Sequence, residues 1–383
     1  MTRRRQEAET TGGGAMFTEV AVRFPSAAGA ADAVELAGTF AAPSGRSNPP
    51  VAVLVSGTGP IDRDVTFVGH ALFRVLAHSL AQAGIASLRF DKRGVGESQG
   101  DFSTAGPDDF VADVLGAVEY LVHEQEFAGG RVGLVGHSEG GIVALTAAAK
   151  MDMTPFCVLL ASPLLSGRDN LVQSFALLAR GSLDRDDTFD SYVSELTTLL
   201  AFARSADTAA PQPGTARRPD AAPHPDAAAR QETVAQPAGI ARPEAVALAN
   251  NLAPLIINER TQVILGGGTM SGEEFLDLLS SPCLETCLSW DPSRVVPLVT
   301  CPVLVIHGGK DTQAPAVQNG AAARGLVERL GKQNWVVREM GEMNHAFQRC
   351  ATGMPDEYAR IDHVMADEVV GEIAAWIKSM TKR

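Results

Sequence analysis

A serine that could act as a nucleophile lies at the centre of the segment GHSEG, residues 136–140, which fits the pattern G-x-S-x-G. The apolar run before it, residues 132–135, predicts a buried strand, and the apolar, alanine-rich segment after it predicts a buried helix. A sharp strand-to-helix turn with serine at its apex is a nucleophile elbow, in which glycines leave room for the tight turn. A glycine-rich loop with a capping serine is the alternative, and the flanking segments favour the elbow with Ser138 as nucleophile.

A serine hydroxyl is a weak nucleophile at neutral pH, so it needs a neighbouring base that a third group orients. Histidine titrates near neutrality and is the expected base, and the chain has 8 histidines. His345 is favoured because it follows the last predicted strand, at the same sheet edge as Ser138, while His363 in the predicted last helix is the fallback. The other histidines are interpreted structurally: His137 turns away from Ser138, His307 packs at a strand end, and His70, His78 and His123 lie in helices.

The carboxylate that orients the base must lie on a third loop at that edge. Asp311 directly follows the apolar run of residues 302–306, which predicts a strand, and is therefore the favoured acid. A structural role in a turn is the alternative for Asp311, because aspartate favours turns. Asp169, just beyond an earlier predicted strand, is the alternative acid.

Attack of a serine on a carbonyl group also needs N–H donors for the oxyanion that develops. One donor is predicted to be the backbone amide of Glu139, directly after the nucleophile. The second is expected on the loop after the apolar run Val51–Val55, as the amide of Thr58, with Gly59 as second choice.

Charged residues follow two of the predicted strands, Asp62, Arg63 and Asp64 on one loop and Asp91 and Arg93 on the other. Crossed ion pairs between the two loops would hold the oxyanion loop in place. A solvated charge cluster is the alternative, since exposed ion pairs contribute little to stability.

The candidate residues are placed by short apolar runs that alternate with helical patterns, over residues 51–160 and again over 302–380. Such alternation predicts an α/β fold with a mostly parallel sheet flanked by helices. Ligands of these sheets bind beyond the carboxyl ends of the strands, where each candidate loop lies. Residues 17–24 and 34–40 add an antiparallel hairpin, and helices are predicted at 70–83, 108–123, 318–330 and 361–380.

The middle of the chain has a different pattern. Residues 164–296 are predicted to be a helical cap inserted into a core formed by 16–163 and 297–383, with a separate interaction domain as the alternative. Residues 205–243 are rich in Ala and Pro and contain no Phe, Trp or Tyr, so a disordered loop is expected there, as is a disordered tail at 1–15. The helical patterns of the cap lie at 170–179, 189–202, 244–258 and 273–279.

Composition and charge limit the classes of partner. The hydrophobic content of 45% and charged content of 20% are typical of a globular protein. The net charge of −13 argues against nucleic acid and against docking on anionic membranes. No apolar run is long enough to span a bilayer, and the residues after Arg3-Arg4-Arg5 do not resemble a secretory signal.

The cysteines indicate the compartment. Their number, 5, is odd and their spacing is scattered, which suggests no disulfide framework. Cys283 and Cys287 are four residues apart, but no cluster completes a zinc site, so no metal is expected. Cys157 and Cys301 are predicted to be core thiols, and a reducing compartment, the cytoplasm, is the expected location.

Five motifs lie at the predicted strand ends: SGTGPIDRD (56–64), RFDKRGVGES (89–98), GHSEGG (136–141), HGGKDTQ (307–313) and MNHAFQ (343–348). Together they resemble the EstD-type carboxylesterases of the α/β-hydrolase superfamily, over most of residues 51–163 and 301–376. The chain order Ser138, Asp311, His345 is also that of α/β-hydrolase triads. The resemblance implies hydrolysis of carboxylic esters with small acyl groups, without metal or cofactor. The cap matches poorly, which leaves the acyl and alcohol groups open.

The sequence thus predicts a serine hydrolase that cleaves small-molecule carboxylic esters of small to medium acyl groups through an acyl-enzyme, with the triad Ser138, Asp311 and His345. A peptidase or thioesterase of the same fold is one alternative. A non-catalytic binding protein that retains the fold is the other.

Overall fold

The computed structural model describes residues 16–27, 33–123, 127, 129–180, 186–207, 240–261, 264 and 269–382. The predicted tail at 1–15 and most of the predicted disordered loop therefore lie outside the described residues. The two ends of that loop are helical, since one helix ends at Asp207 and the next begins at Arg242.

A twisted sheet of eight strands forms the centre of the molecule. Its middle strands are buried on both faces, which explains why they consist of continuous apolar runs such as VAVLV at 51–55. Six strands run parallel, and the predicted N-terminal hairpin, Phe17–Pro25 with Glu35–Pro43, joins them in the antiparallel sense beside the strand Ala86–Phe90. In spatial order the strands are β1 (Phe17–Pro25), β2 (Glu35–Pro43), β6 (Ala86–Phe90), β3 (Val51–Val55), β7 (Val132–His137), β8 (Cys157–Leu160), β9 (Val303–Gly308) and β10 (Trp335–Met340).

Five helices cover the two faces of this sheet. The helices α1 (Leu72–Gln82) and α11 (Asp367–Met380) bury their apolar sides in one hydrophobic core, which includes Leu76 and Ile373. On the other face, α2 (Pro107–His123), α3 (Glu139–Lys150) and α10 (Ala316–Leu330) pack into a second core. The predicted architecture, a mostly parallel sheet between two layers of helices, is confirmed.

The cap consists of helices between β8 and β9, and it has its own apolar cluster, to which Phe175, Leu196, Leu252 and Phe275 contribute. Its helices are α4 (Gly167–Ala179), α5 (Asp186–Asp207), α6 (Arg242–Ile256), α7 (Gly272–Leu279) and α8 (Pro282–Leu288), and the short α9 (Pro292–Val295) leads back to the sheet.

Two helices begin later in the chain than predicted, and hydrogen bonds to other elements explain both differences. His70 belongs to a two-residue strand, β5 (His70–Ala71), which pairs with β4 (Thr66–Phe67). The last helix begins at Asp367 rather than at 361 because the preceding backbone is held by the loop after β10: Ala366 N–H donates to the Phe347 carbonyl at 2.9 Å. His363 therefore lies outside the last helix. His78 and His123 do lie in helices, as predicted.

An ion pair joins the loops that follow β3 and β6, as predicted for a braced oxyanion loop, and a second pair runs to the β3 loop from β6 itself. Arg63 binds Asp91 through two nitrogens, with Nη2 2.6 Å from Oδ2 and Nε 3.0 Å from Oδ1. In the opposite sense, Arg89 Nε donates to Asp64 Oδ1 at 2.7 Å. Arg93 does not join these pairs, because it is turned to α2, where it binds Asp109 and Asp113, each at 2.6 Å.

We expect Asp91→Asn to lower the free energy of unfolding at pH 7 by about 3 kcal/mol, because it removes the buried counterion of Arg63 and leaves only the exposed Glu97 to pair with it. Burial by itself raises the pKa of Asp91, but hydrogen bonds from the Arg63 side chain and from the backbone N–H groups of Glu97 and Arg63 outweigh it, so the pKa is lowered. The stabilisation is thus present above the unfolded-state pKa of about 3.9 and is lost as pH falls through the lower folded-state pKa.

Urea unfolding at pH 7 and in acid tests this expectation, since the difference between wild type and Asp91→Asn should shrink in acid. Asp108→Asn is the matched control, because the Asp108 side chain is 98% exposed and pairs only loosely with Lys150. Equal stability of wild type and Asp91→Asn at pH 7 would contradict the predicted role of the pair.

Cys157 and Cys301 are buried thiols, as predicted. Burial raises the pKa of Cys301 to about 11, so this thiol stays protonated and packs as a small apolar group. Among the helices of the described residues, none has the length and apolar character needed to cross a bilayer.

Candidate active site

Ser138 lies between the end of β7 and the start of α3, in a backbone conformation that side chains rarely adopt, with φ 56° and ψ −129°. Its side chain is partly exposed, whereas the residues on either side, His137 and Glu139, are buried. The strained turn therefore exposes the Ser138 hydroxyl while the buried strand and helix on either side hold its backbone in place. This is the geometry of a nucleophile elbow.

Three glycines permit this turn. A Cβ atom at Gly136 would lie 2.2 Å from the Gly140 carbonyl oxygen, and one at Gly140 would lie 2.1 Å from the carbonyl oxygen of Val55. A Cβ at Gly141 would lie 2.2 Å from Ser162 Oγ. A side chain at Gly140 would push the elbow away from β3, one at Gly136 would collide within the turn itself, and one at Gly141 would displace the residues that follow β8.

We expect Gly140→Ala to lower the free energy of unfolding by about 3 kcal/mol, because the new methyl group must displace the backbone of β3. Gly325→Ala is the matched control. It lies on an exposed position of α10 with no heavy atom within 4 Å of its Cβ position, so it should be neutral or slightly stabilising. Denaturant unfolding of both variants measures the difference, and a neutral Gly140→Ala would contradict the packing described for the elbow.

Asp311 and His345 form a buried pair. His345 Nδ1 and Asp311 Oδ2 are 2.8 Å apart, and the two residues are only 6% and 4% exposed. The other carboxylate oxygen, Oδ1, accepts hydrogen bonds from the backbone N–H groups of Gln313 at 2.8 Å and Ala314 at 2.9 Å. The turn after β9 thus fixes the carboxylate, and the carboxylate fixes the imidazole.

A tight loop after β10 carries His345. Asn344, which is fully buried, accepts hydrogen bonds at its side-chain oxygen from the N–H groups of Ala346 and Gln348. Phe347 adopts a positive φ of 60°, which turns the chain back toward the sheet. These contacts hold the histidine at the same sheet edge as Ser138.

His137 links this loop to the elbow. Its Nε2–H donates to the His345 carbonyl at 2.9 Å, and the two ring centroids are 4.8 Å apart. His345 therefore lies against the residue that precedes Ser138. The Ser138 hydroxyl and the His345 ring are not hydrogen-bonded to each other in the part of the chain that the structure describes. Catalytic hydrogen bonds are often long in the absence of substrate and tighten in the complex.

The other two buried histidines near the pair are poor bases. Burial lowers the pKa of His137 to about 4, helped by the neighbouring His345. Burial also lowers the pKa of His307, in β9, to about 4. Both rings stay neutral at neutral pH and take up a proton poorly, which favours His345 as the base.

The fallback residues lie elsewhere or are already engaged. The ring of His363 accepts a hydrogen bond at Nε2 from the backbone N–H of Arg349 at 2.8 Å. Asp169 lies in the first turn of α4, half exposed, and binds the capping Ser166. The structure brings neither of them to the Asp311–His345 pair.

The loop after β3 adjoins the nucleophile, as the predicted oxyanion hole requires. A Cβ atom at Gly57 would lie 3.1 Å from Ser138 Cβ, and Thr58 follows directly. The Thr58 side chain is turned to the cap, with its hydroxyl 3.6 Å from the sulfur of Cys287. The roles of the Thr58 and Glu139 amides, with Gly59 as second choice, remain predictions.

Two further residues lie at the site that the sequence did not indicate, Lys92 and Cys287, and both contact Glu139. The Glu139 carboxylate is fully buried, with Oε1 3.3 Å from Lys92 Nζ, and Cys287 of α8 donates to its Oε2 at 3.8 Å. The only sequence signal for Lys92 is its place in the DKRG loop after β6. Within the described ranges, no group of three His, Cys, Asp or Glu side chains has an arrangement that could hold a metal ion.

Solved structures with this architecture match nearly the whole chain. The alpha/beta hydrolase GrgF from Penicillium sp. sh18 superposes with a TM-score of 0.53 at 16% identity, over 95% of this chain and 99% of that chain. DcsB, solved with its substrate analogue, superposes with a TM-score of 0.52 at 15% identity, over 95% and 100%. The chain therefore has the α/β-hydrolase fold, as predicted.

Sequence similarity is confined to part of the chain. Esterase EstD of Thermotoga maritima is 32% identical over 108 residues, which is 28% of this chain and 26% of EstD. An uncharacterized 31.7 kDa protein of Escherichia coli is 30% identical over 122 residues, 31% of this chain and 39% of that protein. The family model described as "Serine aminopeptidase, S33" matches residues 70–185. The alignments thus span about a quarter to two fifths of the length of these curated relatives. Over the aligned 108 residues, the predicted resemblance to esterase EstD is confirmed.

Proposed function

We propose that the chain is a serine hydrolase that cleaves carboxylic esters through an acyl-enzyme intermediate. The observation that carries the proposal is the buried Asp311–His345 pair, 2.8 Å long, on loops beside a strained elbow with Ser138 at its apex. A nucleophile, a base and an orienting acid from three separate loops are what serine hydrolysis requires.

In the proposed reaction, His345 Nε2 takes the proton of Ser138 as the hydroxyl attacks the ester carbonyl. Asp311 holds Nδ1–H and stabilises the imidazolium that forms. The amides of Glu139 and Thr58 would donate to the oxyanion, and their position at the N-terminus of α3 and on the β3 loop supports that role. His345 then protonates the leaving alcohol, and a water molecule releases the acyl group by the same steps.

The proposed substrates are small-molecule esters of small to medium acyl groups. The partial similarity to esterase EstD supports ester hydrolysis. Hydrolysis of p-nitrophenyl esters from acetate to palmitate tests the proposal. We expect kcat/KM to be highest for acyl chains of about two to eight carbons, and turnover of none of these esters would contradict it.

A peptidase is the second candidate, because the matching family model carries the description of a serine aminopeptidase. A thioesterase would use the same triad. A side-by-side assay of p-nitrophenyl esters, acyl thioesters and aminoacyl p-nitroanilides separates the three. Turnover of the anilides alone would favour the peptidase and contradict the esterase.

A further inference from the structure

A buried ion pair lies directly behind the elbow. The Lys92 side chain is 7% exposed and the Glu139 side chain is fully buried, and Nζ lies 3.3 Å from Oε1. Glu139 is the residue whose amide is proposed to bind the oxyanion. The carboxylate therefore belongs to the same residue whose backbone N–H would face the substrate oxygen on which negative charge develops.

The surroundings of Lys92 keep its charge fixed beside this carboxylate. Its ammonium group lies over the ring of Phe110, 4.6 Å from the centroid, and 5.6 Å from that of Phe102. A cation over aromatic faces is stabilised without competing hydrogen-bond acceptors. Lys92 thus interacts with the carboxylate on one side and with apolar rings on the other.

The second carboxylate oxygen of Glu139 is turned to the cap. It accepts the thiol hydrogen bond of Cys287, whose sulfur also lies 3.6 Å from the Thr58 hydroxyl. The carboxylate is therefore held between Lys92 and Cys287, and both residues proposed to supply oxyanion donors contact the same cap cysteine.

We propose that Lys92 is a positioning residue of the hydrolytic site and acts through Glu139, holding its carboxylate in place and cancelling its charge. An uncompensated carboxylate in this buried position would repel the oxyanion and raise the barrier to attack. With Lys92 present, the pair is neutral and the Glu139 amide acts on the oxyanion without that repulsion. The inference rests on the proposed ester hydrolysis.

A double-mutant cycle tests the inference. The wild type, Lys92→Met, Glu139→Gln and the double variant are assayed with p-nitrophenyl butyrate. Titration with a fluorophosphonate measures the concentration of active sites, so that kcat is calculated per folded, active chain and unfolded protein does not lower it. For Lys92→Met we expect kcat to fall roughly 10- to 100-fold with KM changed by less than about threefold. The double variant removes both charges, so it should recover at least half of that loss on a logarithmic scale.

A lysine elsewhere provides the matched control. Lys332 donates to the carbonyl oxygens of Val299 and Pro297, remote from the site, so Lys332→Met should lower stability and leave kcat unchanged. If Lys92→Met does not fold, Glu139→Gln is compared with the double variant. In Glu139→Gln the Lys92 ammonium group remains and favours the oxyanion, so Glu139→Gln should have a higher kcat than the double variant.

A folded Lys92→Met with wild-type kcat, a double variant without recovery, or equal kcat for Glu139→Gln and the double variant would overturn the inference. The first of these results leaves ester hydrolysis standing, because the wild type still turns over the substrate. A wild type that hydrolyses no ester would instead contradict the proposed function and the inference together.

Discussion

Replacing Ser138 by alanine is expected to lower kcat for ester hydrolysis by roughly 10⁵- to 10⁶-fold, which is the largest effect that we predict for any single substitution. The hydroxyl oxygen is the atom that would form the acyl-enzyme, and His345 cannot act as a base on it once it is removed. Because Ser138 is partly exposed and alanine keeps its Cβ atom, the variant should unfold at the wild-type temperature.

Ser289→Ala is the matched control for this substitution. Ser289 is exposed, follows α8 of the cap, and donates its hydroxyl to the Glu285 carbonyl at 2.7 Å. Its kcat should stay within about twofold of wild type. Initial rates with p-nitrophenyl butyrate measure both variants, and more than about 1% residual activity in Ser138→Ala would point to another nucleophile.

Asp311→Asn is expected to lower kcat by about 10⁴-fold with little change in KM. In the wild type, Oδ1 of Asp311 accepts two backbone N–H groups and Oδ2 faces His345 Nδ1. An asparagine would keep its oxygen toward the two N–H donors and turn its NH₂ group to Nδ1. The imidazole would then carry its proton on Nε2, in the tautomer that cannot accept the Ser138 proton.

Asp169→Asn is the control for Asp311→Asn, because Asp169 is the other acid that the sequence offers. Its side chain is half exposed and accepts a hydrogen bond from Ser166, the N-cap of α4, so we expect kcat within about twofold of wild type and a small loss of stability. Steady-state kinetics of the two variants decide between the acids. A larger loss in Asp169→Asn than in Asp311→Asn would contradict the arrangement of the pair.

The parts of the fold that follow from local pattern could be predicted from the sequence. Continuous apolar runs mark the buried parallel strands, because both faces of such strands are covered by helices. The strand Val51–Val55 is predicted to the residue, and the elbow is recognisable because Gly136, Gly140 and Gly141 have no room for a Cβ. Asp311 and His345 follow from the rule that ligands bind at carboxyl strand ends.

The remaining features depend on contacts between distant parts of the chain. The apolar pattern predicts His363 in the last helix, but hydrogen bonds from Gln348 to its carbonyl and from Arg349 to its ring hold it against the His345 loop instead. Lys92 and Cys287 are far from Glu139 in sequence, and only the packing of α8 and of the loop after β6 brings them together. A cluster of this kind cannot be predicted from the local sequence pattern.

Labelling with a fluorophosphonate probe, followed by peptide mapping by mass spectrometry, tests most directly whether Ser138 is an activated nucleophile. The probe reacts with a serine whose base and oxyanion donors are in place, whatever the natural ester. We predict one adduct per chain, on Ser138, absent from Ser138→Ala and strongly slowed in His345→Ala. An intact wild-type protein that takes up no probe, or that carries the adduct on another residue, would contradict the catalytic role of Ser138.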